Sequence, residues 1–193
     1  MEYSRKTNLT NTYIKKALIT LLKDYKFNLI TINQIIKEAE ITRSTFYRYY
    51  EDKYDLLNVI EEEIIDRIKS TRNSVMNEST IPNNQTLSTE LLIVLFNSLD
   101  AYADTISTLL SDNAEASFEM KLKNQISQRI LILSNTFNIS EVRSELVKEY
   151  LFAILIKTFQ YWSANKDKVD IEEIASTFID VQMNGLQKTI GLT

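Results

Sequence analysis

The scarcity of turn-forming residues constrains the fold of this chain more than any other feature. Its 193 residues include only two glycines, Gly185 and Gly191, and one proline, Pro82. Tight turns between β-strands depend on glycine and proline, so a many-stranded protein needs many of them, whereas a helical protein does not. The sequence therefore predicts an all-α protein, long enough for one domain or two small ones.

Missing residue types also exclude several chemistries. The chain has no His and no Cys, which rules out imidazole bases, Ser-His-Asp or Cys-His nucleophiles and thiolate zinc sites. Two glycines cannot supply the glycine-rich loops that hold phosphates. A carboxylate di-metal bundle, the most plausible enzymatic alternative, needs a Glu-x-x-His pattern that the chain lacks. We therefore predict no enzymatic activity, no cofactor and no metal.

Charge is distributed unevenly along the chain. Residues 1–53 carry ten Lys and Arg against six acidic residues, and the remainder carries 12 against 20. A basic segment on an acidic protein favours a polyanionic partner for that segment, although charge alone leaves open an ordinary solvated surface. The polar opening residues and the lack of a long apolar run predict a cytoplasmic protein without a membrane partner.

Two closely spaced helix starts follow the first amphipathic helix, whose apolar residues recur from Tyr13 to Tyr25. Thr31 and Gln34 form a capping box, flanked by Ile30 and Ile35 as a hydrophobic staple. Eleven residues later the same start signal recurs at Thr42. This spacing predicts a helix-turn-helix. We predict a DNA-binding head at residues 1–53, a connecting helix at 53–76 and a second helical domain at 77–193, with helices near 87–110, 114–137, 140–165 and 170–190.

Residues 7–57 resemble the DNA-binding domain of the TetR (tetracycline-repressor) family of bacterial transcriptional regulators. The resemblance rests on "ITINQIIKEAEI" for the second helix and turn, and on "TRSTFYRYYEDKYDLL" for the recognition helix and the start of the fourth helix. One departure is Glu40, at a turn position where relatives often have glycine. If that position needs a positive φ, glutamate costs roughly 1 kcal/mol there.

The resemblance implies a ligand-responsive repressor that binds double-stranded DNA as a homodimer on a palindromic operator. Arg43, Ser44 and Thr45 would approach base edges, and Arg43 could pair bidentately with guanine. The implied phosphate contacts are Thr31, Asn33, Tyr47, Tyr49 and Lys53. Simpler interpretations remain open, since the tyrosines could be packing residues, Lys53 an ordinary solvated charge and Thr31 only a helix cap.

The second domain would bind a small-molecule effector of unknown class and form the dimer. Between Val147 and Trp162 the apolar residues cover nearly the whole circumference of a helix, so one side would meet its own core and the other a partner chain. With the last helix it would build an intermolecular four-helix bundle, using Leu151, Ile154, Leu155 and Phe178. Two alternatives remain: this helix may centre a single large core, and the second domain may bind a protein, as in an activator or coactivator.

Overall fold

The computed structural model describes residues 2–78, 88–125 and 140–189, and within these ranges all regular structure is helical. The predicted all-α class is confirmed. The helices are α1 (Glu2–Asp24), α2 (Ile32–Glu38), α3 (Arg43–Tyr49), α4 (Lys53–Glu78), α5 (Thr89–Leu99), α6 (Ala103–Leu109), α7 (117–125), α8 (Glu141–Asn165) and α9 (Ile171–Thr189), with 3-10 turns at Phe27–Leu29 and Asp100–Tyr102.

Three of the predicted bounds differ from these or extend beyond the described residues. The helix predicted at 87–110 is interrupted by the turn Asp100–Tyr102 and continues as α6. The helix predicted at 114–137 is seen as α7, and its later part lies outside the described residues. The predicted start of the second domain, residue 77, lies near the end of α4, and residues 79–87 lie outside the described residues.

The chain forms two compact units whose boundary differs from the predicted one. The first unit comprises Met1–Ile65 together with Asp104–Glu119, and the second comprises Asp66–Ala103 and Met120–Thr193. The first unit is thus larger than the predicted head of residues 1–53. It includes the first half of α4 and also α6 with the segment leading into α7.

The core of the first unit is formed by one face of α1 packed with α2, α3 and α4. Its fully buried side chains include Ile14, Leu18, Leu22, Phe27, Ile35, Phe46, Leu56 and Ile64. Tyr13 and Tyr25, which the sequence pattern placed on the buried face of α1, are both exposed. The buried apolar face of α1 begins at Ile14 instead, because positions 14, 18 and 22 share one face of a helix.

A tight turn separates α2 from α3. The amide of Ile41 donates to the carbonyl of Ile36 at 3.1 Å, and the amide of Glu40 donates to that of Lys37 at 3.2 Å. This is the Schellman pattern, in which the residue after the helix cap adopts a left-handed conformation. Glu40 has φ 53°. The sequence expectation about this position is therefore confirmed: it needs a positive φ, and glutamate is strained there.

In the second unit α5 and α8 both pack against α9, and an aromatic cluster joins α5 to α8. The ring of Phe96 lies 5.1 Å from that of Phe159 and 5.5 Å from that of Trp162. Lys166 lies over the Trp162 ring and forms an ion pair with Asp100. Within the described ranges, no helix is long and apolar enough to cross a membrane.

Candidate nucleic-acid interface

The first turn of α3 is organised by its cap. Thr42 Oγ1 accepts a hydrogen bond from the Thr45 amide at 3.2 Å, and it lies 2.9 Å from Ser44 Oγ and 2.8 Å from Thr45 Oγ1. The hydroxyls of Thr42, Ser44 and Thr45 are therefore gathered at the helix start. Arg43 and Ser44 are exposed, and Thr45 is half-buried. This turn is thus presented to solvent in a fixed conformation.

The opposite face of α3 anchors it in the core. Phe46 is 0% exposed and Tyr50 is 4% exposed, as expected from their spacing of four residues. The Tyr50 hydroxyl donates to Asn11 Oδ1 of α1. Burial raises the pKa of Tyr50, and the negative charges of Glu63 and Asp55 raise it further. Tyr50 is therefore a neutral hydrogen-bond donor that joins α3 to α1.

Three of the predicted DNA-binding residues lie together on the exposed side. Arg43 Nη1 donates to Asn33 Oδ1 at 3.2 Å, and Arg43 Nη2 donates to the Tyr47 hydroxyl at 3.3 Å. The guanidinium also lies over the Tyr47 ring, 5.5 Å from its centroid. A guanidinium has five N–H donors, so these two bonds orient Arg43 and leave three donors for a ligand. We call Asn33, Arg43 and Tyr47 the arginine cluster.

The start of α2 lies beside the arginine cluster, because Asn33 belongs to its first turn. The predicted capping box is present: the Gln34 amide donates to Thr31 Oγ1 at 3.3 Å, and the Thr31 amide donates to Gln34 Oε1 at 2.8 Å. The staple residues Ile30 and Ile35 are buried. Thr31 and Asn33 are exposed. The cap is therefore confirmed, and the predicted contact of Thr31 with a phosphate stays a prediction.

The Lys53 ammonium, a predicted phosphate contact, is bonded to backbone oxygens of its own chain. Its ammonium donates to the carbonyl oxygens of Phe27 at 2.8 Å, Asn28 at 3.1 Å and Ile30 at 2.8 Å. An ammonium has three donors, and these bonds use all of them. Lys53 also lies over the Phe27 ring, 4.8 Å from its centroid. In the free protein it holds the turn before α2, and its phosphate contact stays a prediction.

Tyr49 is the remaining predicted contact on α3. It is half-buried, and its ring lies 6.4 Å from that of Tyr50. Within the part of the chain that the structure describes, no hydrogen bond or ring contact joins Tyr49 or Lys53 to the arginine cluster. The predicted phosphate contact of Tyr49 therefore gains no support from contacts with the other predicted residues.

One residue that contacts the head was missed by sequence reasoning. Asn113, in the segment between α6 and α7, donates through Nδ2 to the carbonyls of Leu22 at 3.1 Å and Lys23 at 3.3 Å, at the end of α1. Its own carbonyl accepts from the Phe27 amide at 2.8 Å. No local motif marks a lone asparagine as the partner of a helix that lies so far away in the sequence.

The predicted dimer residues lie on α8 and α9. Leu151, Ile154 and Leu155 are half-buried, whereas Phe178 is 3% exposed and so largely covered within its own chain. Ile154 and Phe178 line an open groove of about 390 Å³ between the two helices. On α8, Tyr150 is 60% exposed and Tyr161 is 56% exposed, while Phe152 and Phe159 are buried. One side of α8 thus meets its own core, and an apolar side remains exposed.

The short α2 and α3, joined by a tight turn and anchored on α1, define a helix-turn-helix protein. Comparison with known families agrees. Residues 15–60 match the model of bacterial regulatory proteins of the tetR family, and residues 88–184 match the transcriptional regulator C-terminal region of TetR proteins. The chain belongs to the TetR family of transcriptional regulators. Its first unit contains the helix-turn-helix DNA-binding domain, and members of this family bind DNA and typically dimerise.

Individual relatives are distant. An uncharacterized HTH-type transcriptional regulator of Bacillus subtilis, YxbF, is 23% identical over 164 residues, which cover 84% of this chain and 42% of that protein. A TetR transcriptional regulator from Streptococcus agalactiae is 23% identical, with a TM-score of 0.57 and coverage of 94% of this chain and 97% of that chain. The fatty acid degradation regulator FadR from Bacillus halodurans is 18% identical, with a TM-score of 0.60 and coverage of 92% and 96%.

Proposed function

We propose that this chain is a ligand-responsive repressor that binds a palindromic operator as a homodimer in the cytoplasm. The observation that carries the proposal is the arginine cluster, an oriented guanidinium on the exposed first turn of α3. Residues 1–53, which contain α3, carry ten Lys and Arg against six acidic residues, and this excess of positive charge favours a polyanionic partner for that segment.

The arginine cluster supports direct reading of a base. The major groove admits one α-helix and displays a different pattern of donors and acceptors for each base pair. Arg43 has three N–H donors left after its bonds to Asn33 and Tyr47, and two suffice for bidentate pairing with O6 and N7 of guanine. Because the side chain is already held, less conformational entropy is lost on binding. Ser44 and Thr45 would meet neighbouring base edges.

Phosphate contacts would come from the residues around this turn. Thr31 and Asn33 are exposed at the start of α2, and Tyr47 is exposed on α3. Tyr49 and Lys53 would contribute less to phosphate binding than these residues, because Tyr49 is half-buried and the three donors of Lys53 are occupied. Hydroxyl and amide donors position a protein on the DNA backbone without reading sequence.

The exposed side of α8 and the groove between α8 and α9 support dimerisation through these helices. Exposed apolar surface on a helix favours a partner. A second copy presenting the same groove would form a four-helix bundle that includes Leu151, Ile154 and Leu155, with Phe178 beneath the contact. Two heads about one DNA turn apart would then read two half-sites of a palindrome.

Release from DNA would follow from a change in the separation of the two heads. An effector that binds the second unit more tightly in one arrangement shifts the population toward it, and DNA affinity falls although α3 is unchanged. No observation favours the alternative in which the second unit binds a protein. The chain spans 42% of the length of the curated relative that it matches.

The test is selection of bound duplexes from a random DNA pool by the purified protein, with its mass in solution measured alongside. The proposal predicts enrichment of a palindrome by a protein with the mass of two chains. Enrichment of an asymmetric site, or of nothing at low salt, would contradict it.

A further inference from the structure

The turn formed by residues 27–30 is fixed by residues from two distant segments. From α4, Lys53 donates to three of its carbonyl oxygens. From the segment between α6 and α7, the Asn113 carbonyl accepts the Phe27 amide at 2.8 Å. This turn ends at Ile30, directly before the cap residue Thr31. Its position therefore sets where α2 begins.

Asn113 also holds the end of α1. Its Nδ2 donates to the carbonyls of Leu22 and Lys23, which belong to the last turn of α1 and have no partner inside that helix. One residue thus joins the end of α1 to the turn before α2. A helix end and a following turn that share one partner cannot move independently.

The segment that carries Asn113 is attached at its two ends to two other helices of the first unit, α1 and α4. Before Asn113, Asp104 pairs with Lys23 at 2.8 Å. After it, Ser117 Oγ donates to Oε1 of Glu61 at 2.6 Å, and Glu61 is 1% exposed. A surface ion pair contributes little, but a hydrogen bond to a buried carboxylate is stronger than one between neutral groups. Asn113 therefore approaches the turn from a segment that is itself fixed to α1 and α4.

We propose that Asn113 is a positioning residue for DNA binding. By fixing the turn at residues 27–30 it sets the placement of Thr31 and Asn33. Because Arg43 Nη1 donates to Asn33 Oδ1, Asn113 thereby sets the orientation of the Arg43 guanidinium. The proposal rests on the proposed DNA-reading role of the arginine cluster. It assigns part of the DNA-binding unit to residue 113, outside the helix-turn-helix match at residues 15–60 and inside the C-terminal match at residues 88–184.

The experiment compares the full-length Asn113→Ala variant with wild type and with Ser107→Ala, a matched neutral change at an exposed position of α6 in the same unit. Loss of the two side-chain donors is expected to weaken binding to the selected duplex by about five- to thirtyfold. Base preference should stay unchanged, because the substitution makes the binding-competent placement of Arg43 less populated without altering the contacts that it makes once bound. Salt dependence should also stay unchanged, because no charge is removed. Ser107→Ala should bind as wild type does.

Amide hydrogen exchange in the free protein provides a readout that general destabilisation would not reproduce. In Asn113→Ala, exchange should accelerate at Phe27, Ile30 and Gln34, while the slowest amides of α4 keep their protection. If the alanine variant does not fold, Asn113→Gln, which keeps the donor group, replaces it and should show a smaller loss of affinity with the same local pattern.

The outcomes separate this inference from the proposed function. Wild-type protein that binds no duplex would overturn the DNA-reading role, and the exchange measurement would still test whether Asn113 fixes the turn. Wild-type binding that Asn113→Ala leaves unchanged would overturn the positioning role alone. Uniform acceleration of exchange across the unit would also overturn it, because it would show a general contribution to stability.

Discussion

Replacement of Glu40 by glycine should stabilise this protein. Glu40 has φ 53°, and a left-handed conformation costs a residue with a Cβ about 1–2 kcal/mol. Glycine avoids that cost but loses more backbone entropy on folding, about 0.5–1 kcal/mol. The difference predicts a gain of about 0.5–1 kcal/mol for Glu40→Gly, or roughly 1–4 °C in Tm for a chain of this size.

A matched control lies two residues earlier. Glu38 is also exposed and carries the same charge, but it ends α2 in a right-handed conformation. Glu38→Gly should therefore destabilise the protein by about 0.5–1 kcal/mol, since glycine is a poor helix former. Thermal unfolding of both variants, followed by circular dichroism at 222 nm, should give shifts of opposite sign. A Tm that falls in Glu40→Gly, or shifts of the same sign in both variants, would refute the account of strain.

Three other perturbations test separate parts of the structure. Lys53→Ala should weaken DNA binding, but it should change the slope of log affinity against log salt by well under the ~0.9 expected for a lost phosphate contact. A change of the slope by ~0.9 would show instead that Lys53 binds a phosphate. Ile154→Glu should halve the mass in solution, whereas Val142→Glu, about 120° away around α8, should not; a dimeric Ile154→Glu would exclude the groove face. The pKa of Tyr50 is raised in the folded state, so its contribution to the free energy of unfolding is complete below the ordinary tyrosine pKa near 10 and is lost as pH rises beyond that value. Tyr50→Phe should therefore lose less stability at alkaline pH than wild type does. An unchanged dependence of stability on pH would contradict this role of Tyr50.

Local signals in the sequence predicted the head well. Both caps depend on residues within four positions of each other, so Thr31, Gln34 and Thr42 could be interpreted without any tertiary structure. The strain at Glu40 was also accessible, because a Schellman turn constrains one residue whatever surrounds it. The spacing of Phe46 and Tyr50 predicted which face of α3 is buried. The proximity of Asn33, Arg43 and Tyr47 was implied by their shared role, although not their hydrogen bonds.

Long-range contacts were not accessible in the same way. The sequence suggested a charge exposed to phosphate at Lys53, and the structure places this ammonium on three carbonyls of a turn. Nothing local distinguishes such a lysine from a solvated one. Asn113 joins the head only after the chain has passed through α4, α5 and α6, so its role depends on topology that periodicity does not encode. For the same reason the sequence did not reveal that residues 104–119 belong to the first unit.

The most direct test of the central claim is a parallel selection of bound duplexes by wild type and by Arg43→Ala. Because a homodimer presents the same α3 to both half-sites, one substitution should remove base preference at two positions related by the two-fold axis of the palindrome, with other positions retained. Loss of preference at a single position, uniform weakening across all sequences, or an unchanged preference would contradict the claim that Arg43 reads a base in each half-site of a symmetric operator.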